Sequence, residues 1–345
     1  MVIIAKVSLI DRYFWSDAWI CSSIKLGVIC HSLPIFDLNE KPSMSILSLD
    51  NVVKRYHNHT AVDHVTFNVE KGSIFGLLGP NGAGKTSLIR IITTITGADE
   101  GTILLDGEPL SEFSPSQIGY LPEERGLYKK MKVGEQLLYL AQLKGMTTKD
   151  ARDSLFGWLE KFEIKDWWGK KVDELSKGMQ QKIQFISTVC HNPKLLILDE
   201  PFSGLDPINT NLIKDEIYEL NKKGTSIIFS THRMEQVEQI CQDIVLMNKG
   251  KVILEGKVSD LQERFKENKF SIGFKGNLDR ELKSDSFEVL TDSDDDLIIS
   301  VKDGHNSNEL LKELMDRGHE INSYNEILPT LNEIFIKQVD GQSDE

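Results

Sequence analysis

The chain has 345 residues and a formal net charge of −13. An acidic balance of that size argues against a nucleic-acid-binding body, which would carry a basic face. With 40% hydrophobic and 27% charged residues the composition is that of an ordinary globular protein with room for two or three domains. No run of about 18–20 apolar residues occurs; the nearest, 18–36, is broken by Lys25, His31 and Pro34. The first residues also lack the basic region and clean cleavage site of a secretory signal. Cys21, Cys30, Cys190 and Cys241 are scattered without metal-ligand spacing, as free thiols in a reducing compartment would be.

Residues 1–43 show no clear period and precede a second methionine, Met44. They are expected to stand outside the functional fold, with Met44 as the natural start. The alternative is an interfacial anchor built on Trp15, Trp19 and Phe36. From Met44 a compact pattern begins, and Ile46-Leu47-Ser48-Leu49 alternates as a strand does.

The stretch Gly79-Pro80-Asn81-Gly82-Ala83-Gly84-Lys85-Thr86 reads G-x-x-x-x-G-K-T. An apolar run, Ile74 to Leu78, precedes it, and a helix start follows from Ser87. Strand, glycine loop and helix is the setting in which backbone N–H groups converge on one anion. Lys85 then reaches the β- and γ-phosphates of a nucleotide, and the Thr86 hydroxyl ligates Mg²⁺. Tyr56 falls between two strand-like runs, 47–54 and 65–69. Alone it reads as a half-buried strand end; ahead of a phosphate loop it suits stacking on a nucleotide base.

Further along, 102–107 reads as a strand into a turn and 118–122 as a short strand ended by Pro122. Glu123, Glu124 and Arg125 lead into two amphipathic helices, 133–143 and 151–162. Trp158, Trp167 and Trp168 are expected to anchor the core of this helical insert. Ser176 N-caps a helix running toward His191. A serine, a glycine (Gly178) and a helix N-terminus could form a second anion site, but this segment alone reads as a plain capped helix. Leu195-Leu196-Ile197-Leu198 is a buried strand ending in Asp199-Glu200. Asp199 suits Mg²⁺ coordination, and Glu200 suits polarising a water. Pro207 opens a helix over 208–222. The strand 226–230 ends in Thr231-His232, on the same rim as the other candidates. A hairpin turning at Asn248-Lys249-Gly250 closes the domain. Beyond about Lys257 the pattern reads as a small α+β domain. It has strands at 270–274, 287–290 and 297–301 and helices at 308–315 and 329–336. The acidic run 292–296 reads as a solvated turn, and 341–345 as a frayed end.

The ordered set Tyr56, Gly79–Thr86, Leu175–Lys182, Leu195–Pro201, Ser203–Asp206 and His232 resembles the nucleotide-binding subunit of ABC transporters. The resemblance covers about 44–256, with five short motifs in one order at the family's spacings. The tail, with Leu328-Pro329-Thr330-Leu331-Asn332-Glu333-Ile334-Phe335, looks like the C-terminal accessory domain of an exporter-type subgroup, which includes sodium and drug efflux ATPases. The fold implied is an α/β P-loop NTPase of the ABC type with a helical subdomain at about 124–175, plus a small C-terminal α+β domain at 257–345. The resemblance implies that Tyr56 stacks on adenine and that Gly79 to Thr86, with Ser87, holds the phosphates of ATP. Asp199 supports Mg²⁺, Glu200 is the catalytic base, and His232 senses the γ-phosphate. Asp206 helps join two subunits, and Ser176 and Gly178 contact the nucleotide held by the opposite copy. The partners implied are a second copy of the chain and a separate transmembrane permease, at the cytoplasmic face of the membrane, with no nucleic acid.

Two departures stand out. Leu175-Ser176-Lys177-Gly178-Met179 replaces the family's LSGGQ, and Glu123 stands where the family carries a glutamine. A carboxylate there approaches Mg²⁺ but repels a γ-phosphate. These departures keep open a regulatory or non-transport ATPase with little hydrolysis. Tandem translation factors and coiled-coil repair ATPases of the same type are disfavoured by the single ATPase domain and the lack of heptads.

Overall fold

The computed structural model describes residues 45–124, 126–275, 286–292, 296–302, 304–305, 307–316, 318 and 320–340. The expectations for 1–43, for the middle of the acidic run and for 341–345 therefore lie outside the described residues.

The chain opens with a long hairpin, β1 (Ser45–Tyr56) and β2 (His59–Glu70). It passes through β3 (Ile74–Leu78) into α1 (Lys85–Ile92), then β4 (Glu100–Leu105), β5 (Glu108–Pro109) and β6 (Ile118–Leu121). A helical insert follows: α2 (Val133–Leu143), α3 (Thr148–Lys161) and α4 (Lys177–Val189). Next come β7 (Leu195–Asp199), α5 (Pro207–Lys222), β8 (Ser226–Thr231), α6 (Met234–Ile240), β9 (Asp243–Asn248) and β10 (Lys251–Lys257). The tail holds α7 (Val258–Arg264), β11 (Lys269–Lys275), β12 (Phe287–Asp292), β13 (Asp296–Val301), α8 (Ser307–Asp316), β14 (Glu320–Ile327) and α9 (Leu331–Asp340).

The central sheet runs in the order β10-β9-β3-β8-β7-β6. β3 is parallel to both β8 and β9, and β8, β7 and β6 continue the parallel set. Every residue of β3, β7 and β8 is buried, as expected for strands covered on both faces. One face packs on α1 and on an antiparallel sheet of order β2-β1-β4-β5, through Leu49, Phe67, Phe75, Ile89 and Ile92. The other packs on α4, α5 and α6 through Phe185, Phe229, Ile217 and Val237. Register aligns the strand ends: Leu78 lies opposite Thr231, Asp199 opposite Ser230, and Leu121 opposite Leu198. The segments leaving β3, β6, β7 and β8 therefore emerge at one rim, where ligands bind in open α/β sheets.

Within the insert, Thr147 caps α3 by accepting from the Asp150 N–H at 3.2 Å. Trp158, Trp167 and Trp168 are partly buried against the core, and Trp168 stacks on Phe156 at 4.8 Å. The tail strands form a separate antiparallel sheet of order β12-β13-β11-β14 with its own core of Phe270, Ile272, Phe287, Leu297, Ile299 and Leu314. Its final helix behaves differently. Leu331 and Ile334 of α9 join the core that holds α6, and the Leu331 N–H donates to Glu238 of α6. Among the described residues no helix is long and apolar enough to cross a membrane.

Candidate functional site

A cleft of about 320 Å³ lies at the aligned strand ends. It is lined by Asn81 to Ser87 from the glycine loop, Glu123 beyond β6, Asp199 and Glu200 beyond β7, His232 beyond β8, and Tyr56 from the first hairpin. Twelve sequence positions expected to hold nucleotide, metal or water thus meet in one place.

The glycine loop is shaped by contacts that admit no side chain. Gly79 has φ 147, and a Cβ there would sit 2.2 Å from the Met247 carbonyl oxygen; Gly84 has φ 104, and a Cβ there would meet the Ala61 carbonyl oxygen at 2.2 Å. Both conformations favour glycine. The loop delivers the chain straight into α1, so the first turn of that helix, whose N–H groups lack helical partners, lines the cleft. Lys85 Nζ turns back and donates to the carbonyls of Gly79 at 2.6 Å and Pro80 at 3.1 Å. Gly79 and Pro80 thus serve through their backbone rather than by lining the cleft. Burial pushes the Lys85 ammonium down, opposed by the charges of Glu200, Asp199 and Glu123.

The Asp199 carboxyl is pushed up by burial; a hydrogen bond from Ser230 Oγ at 2.8 Å pulls the other way, and Glu123 and Glu200 push it up further. A cation between these carboxylates would reverse that balance. Among the described residues, no three or more His, Cys, Asp or Glu side chains cluster as a metal cage. The donors that do share the cleft are the Thr86 hydroxyl and the Asp199 and Glu123 carboxylates. That set of hard oxygens fits Mg²⁺ completed by phosphate and water rather than an all-protein cage.

Glu200 adopts φ 50, an uncommon backbone for a non-glycine residue. Its side chain is fixed by three donors. The His232 N–H and Nδ1 reach Oε1 at 2.8 and 2.6 Å, and Thr231 Oγ1 reaches Oε2 at 3.0 Å. A carboxylate only accepts, so the His232 proton sits on Nδ1, and Nε2 donates to an anion only as imidazolium.

Ser176 and Gly178 do not line this cleft. Ser176 caps α4, its Oγ accepting the Met179 N–H at 3.3 Å, and Gly178 faces Leu205 and Asn209. Lys177 lines a second cleft, of about 730 Å³, with Glu123, Glu124, Lys129, Ser203 and Gly204. Asp206 caps α5 through the Asn209 N–H at 3.0 Å. Sequence reading missed four residues: His59 and Ala61 on the cleft wall, and Ser230 and Thr231, whose hydroxyls hold the two acids. The two-residue spacing in Tyr56-His57-Asn58-His59 was the available signal for the first, since it closes a hairpin.

The chain is similar to known ATP-binding proteins. The sequence profile described as ABC transporter matches residues 62–203, and that described as ATP-binding protein DrrA1-3-like, C-terminal domain, matches 256–339. A profile described as AAA domain, putative AbiEii toxin, Type IV TA system, overlaps at 171–236. The chain is 42% identical over 294 residues to the uncharacterized ABC transporter ATP-binding protein YhaQ of Bacillus subtilis (strain 168), covering 85% of this chain and 98% of that protein. The chain belongs to the ATP-binding subunits of ABC transporters. This ATP-binding subunit is also 33% identical over 222 residues to the linearmycin resistance ATP-binding protein LnrL of the same strain, covering 64% of this chain and 71% of that one. A solved structure, an ATP-binding subunit of an ABC transporter, superposes with a TM-score of 0.60 at 29% identity, covering 64% of this chain and 93% of the other. The α/β P-loop fold and the small C-terminal α+β domain expected of the chain are thereby shown, the latter matching the DrrA-like profile.

Proposed function

We propose that this subunit hydrolyses ATP to drive export through a separate membrane permease, working as a pair of identical subunits at the cytoplasmic face. The observation that carries the reading is the convergence of Lys85, Asp199, Glu200 and His232 on the glycine loop in one cleft. Residues 44–256 form the motor, with the helical insert at about 124–175 receiving the permease, and 257–345 form the accessory domain. The exporter assignment, in the sodium or drug efflux subgroup, rests on the likeness to LnrL and on the DrrA-like tail.

In the bound state Tyr56 stacks on adenine, and the loop from Gly79 to Ser87 wraps the phosphates. Lys85 exchanges two neutral carbonyl partners for phosphate oxygens, which are stronger charged acceptors. Thr86 and Asp199, with Glu123 nearby, would hold Mg²⁺, which would neutralise phosphate charge. Glu200 accepts a proton from the attacking water. The water oxygen bonds to the γ-phosphorus, the bridging P–O bond breaks, and ADP leaves. His232 orients Glu200 and reads the γ-phosphate. Ser176 and Gly178 lie outside the cleft of their own subunit, so they act on nucleotide held by the second copy. ATP binding thereby favours the closed pair over the open one.

The test is steady-state phosphate release by the subunit co-purified with its membrane partner, combined with a disulfide crosslink between position 176 of one copy and position 82 of another. ATP-stimulated release and an ATP-dependent crosslink are expected. Failure of both sinks the motor reading. A second reading, a regulatory ATP-binding module, is favoured by Glu123, an exposed carboxylate in the same cleft. Tight ATP binding without turnover would select it.

A further inference from the structure

Beside the glycine loop, the cleft is walled by three residues of the β1–β2 hairpin: Tyr56, His59 and Ala61. Tyr56 and His59 are the closing pair of that hairpin, directly opposed across the ladder. Only His57 and Asn58 separate them, and His57 takes the left-handed backbone (φ 45) of a tight turn. Opposed residues of an antiparallel pair project to the same side, with Cβ atoms about 4.5–5.5 Å apart. Both residues line the cleft, so their rings border it from one side of the ladder.

The platform is anchored. Lys54 Nζ lies 5.6 Å from the centroid of the Tyr56 ring and is itself held by Asp99 Oδ1 at 2.9 Å. The other Asp99 oxygen accepts the Arg55 N–H at 2.6 Å. A cation over one face of the tyrosine leaves the other face for a base. Tyr56 and His59 are both exposed, and among the described residues no hydrogen bond or ion pair engages the His59 imidazole.

We infer that His59 extends the Tyr56 platform and makes the subunit prefer purine over pyrimidine nucleoside triphosphates. The inference rests on the nucleotide reading above. A single phenol covers about one six-membered ring. The fused second ring of a purine overhangs it and meets the imidazole, whereas a pyrimidine has no second ring to place there. The pair reads the width of the base and not its hydrogen-bonding edge, so ATP and GTP gain alike and CTP does not.

Calorimetric titration of the full chain with ATP, GTP and CTP, in EDTA to prevent turnover, tests this. Wild-type protein should bind both purines about five- to tenfold more tightly than CTP, the low end of base–aromatic stacking. His59→Ala should erase that margin by weakening ATP and GTP while CTP stays within about twofold. His59→Phe should keep it. An equal loss for all three nucleotides in His59→Ala, or no loss, overturns the platform, as does failure of His59→Phe to retain the preference. Lys85→Ala reports separately on the underlying site. It should weaken all three nucleotides together, and unchanged binding in that variant would overturn the phosphate-loop reading itself.

Discussion

Replacing Glu200 with glutamine separates geometry from chemistry. The wild-type carboxylate takes two contacts from His232 at Oε1 and one from Thr231 at Oε2. Glutamine preserves the shape: its carbonyl oxygen accepts both His232 donors, and its amide donates to the Thr231 hydroxyl, which rotates to accept. What changes is the charge. Hydrogen bonds to a charged group contribute about 1.5–3 kcal/mol against about 0.5–1.5 for neutral ones, so partial compensation leaves a stability cost of about 1–2 kcal/mol. The amide, however, accepts no proton from water. Loss of a preorganised transition-state group costs about 10²–10³ in rate, or about 2.7–4 kcal/mol. Glu200→Gln should therefore bind ATP with affinity near wild type, melt only a few degrees lower, and release phosphate at least about 100-fold more slowly. Phosphate release from the subunit with its permease, beside calorimetric ATP affinity, provides the comparison. Turnover within about threefold of wild type would refute the assignment of the base. Loss of ATP binding together with turnover would instead make Glu200 a structural residue.

Other expectations are as direct. Ser176→Ala removes the cap of α4, at about 1 kcal/mol, and should leave ATP affinity of the single subunit within about twofold while lowering hydrolysis about 100-fold; unaltered turnover counts against the paired site. Gly134→Ala places a Cβ 2.3 Å from the Trp168 ring. It should cost about 1–3 kcal/mol and lower Tm by several degrees, and an unchanged melt contradicts the packing. Burial, aided by Lys144, brings the His191 imidazole down to about 4 from 6.5, and its Nδ1 has no hydrogen-bond partner. Below pH 6.5 the unfolded chain gains a proton that the folded chain refuses. The stability is complete above that pH and is lost as pH falls toward 4, about 2 kcal/mol of it between pH 7 and pH 5. Urea denaturation at the two pH values should show this slope in wild type and a shallower one in His191→Gln; equal slopes rule it out.

The parts of the fold carried by strong local signals were legible in the chain. Buried aliphatic runs marked β3, β7 and β8, and glycine spacing marked the loop after Leu78. Periodicity placed α2 at its observed bounds. Weak local signals hid the rest. The seven residues of α6 and of α7 are too few for a helical period to stand out. β14 is mostly exposed and polar, so its alternation lacks an apolar face. The first hairpin extends to Tyr56 and His59, beyond the apolar stretches, because cross-strand pairing and the Asp99 tether continue where hydrophobic patterning stops. Ser230 and Thr231 read as ordinary strand residues, and only register puts their hydroxyls against the two acids.

The backbone of Glu200 has a practical consequence. A left-handed torsion costs an ordinary residue about 1–2 kcal/mol, which glycine would recover. Glycine there would also forfeit three hydrogen bonds to a charged group, each contributing about 1.5–3 kcal/mol. That loss outweighs the relief, so a library sorted on melting temperature would discard Glu200→Gly while passing Glu200→Gln, whose amide keeps the contacts. Left-handed torsion at this position is therefore no invitation to glycine.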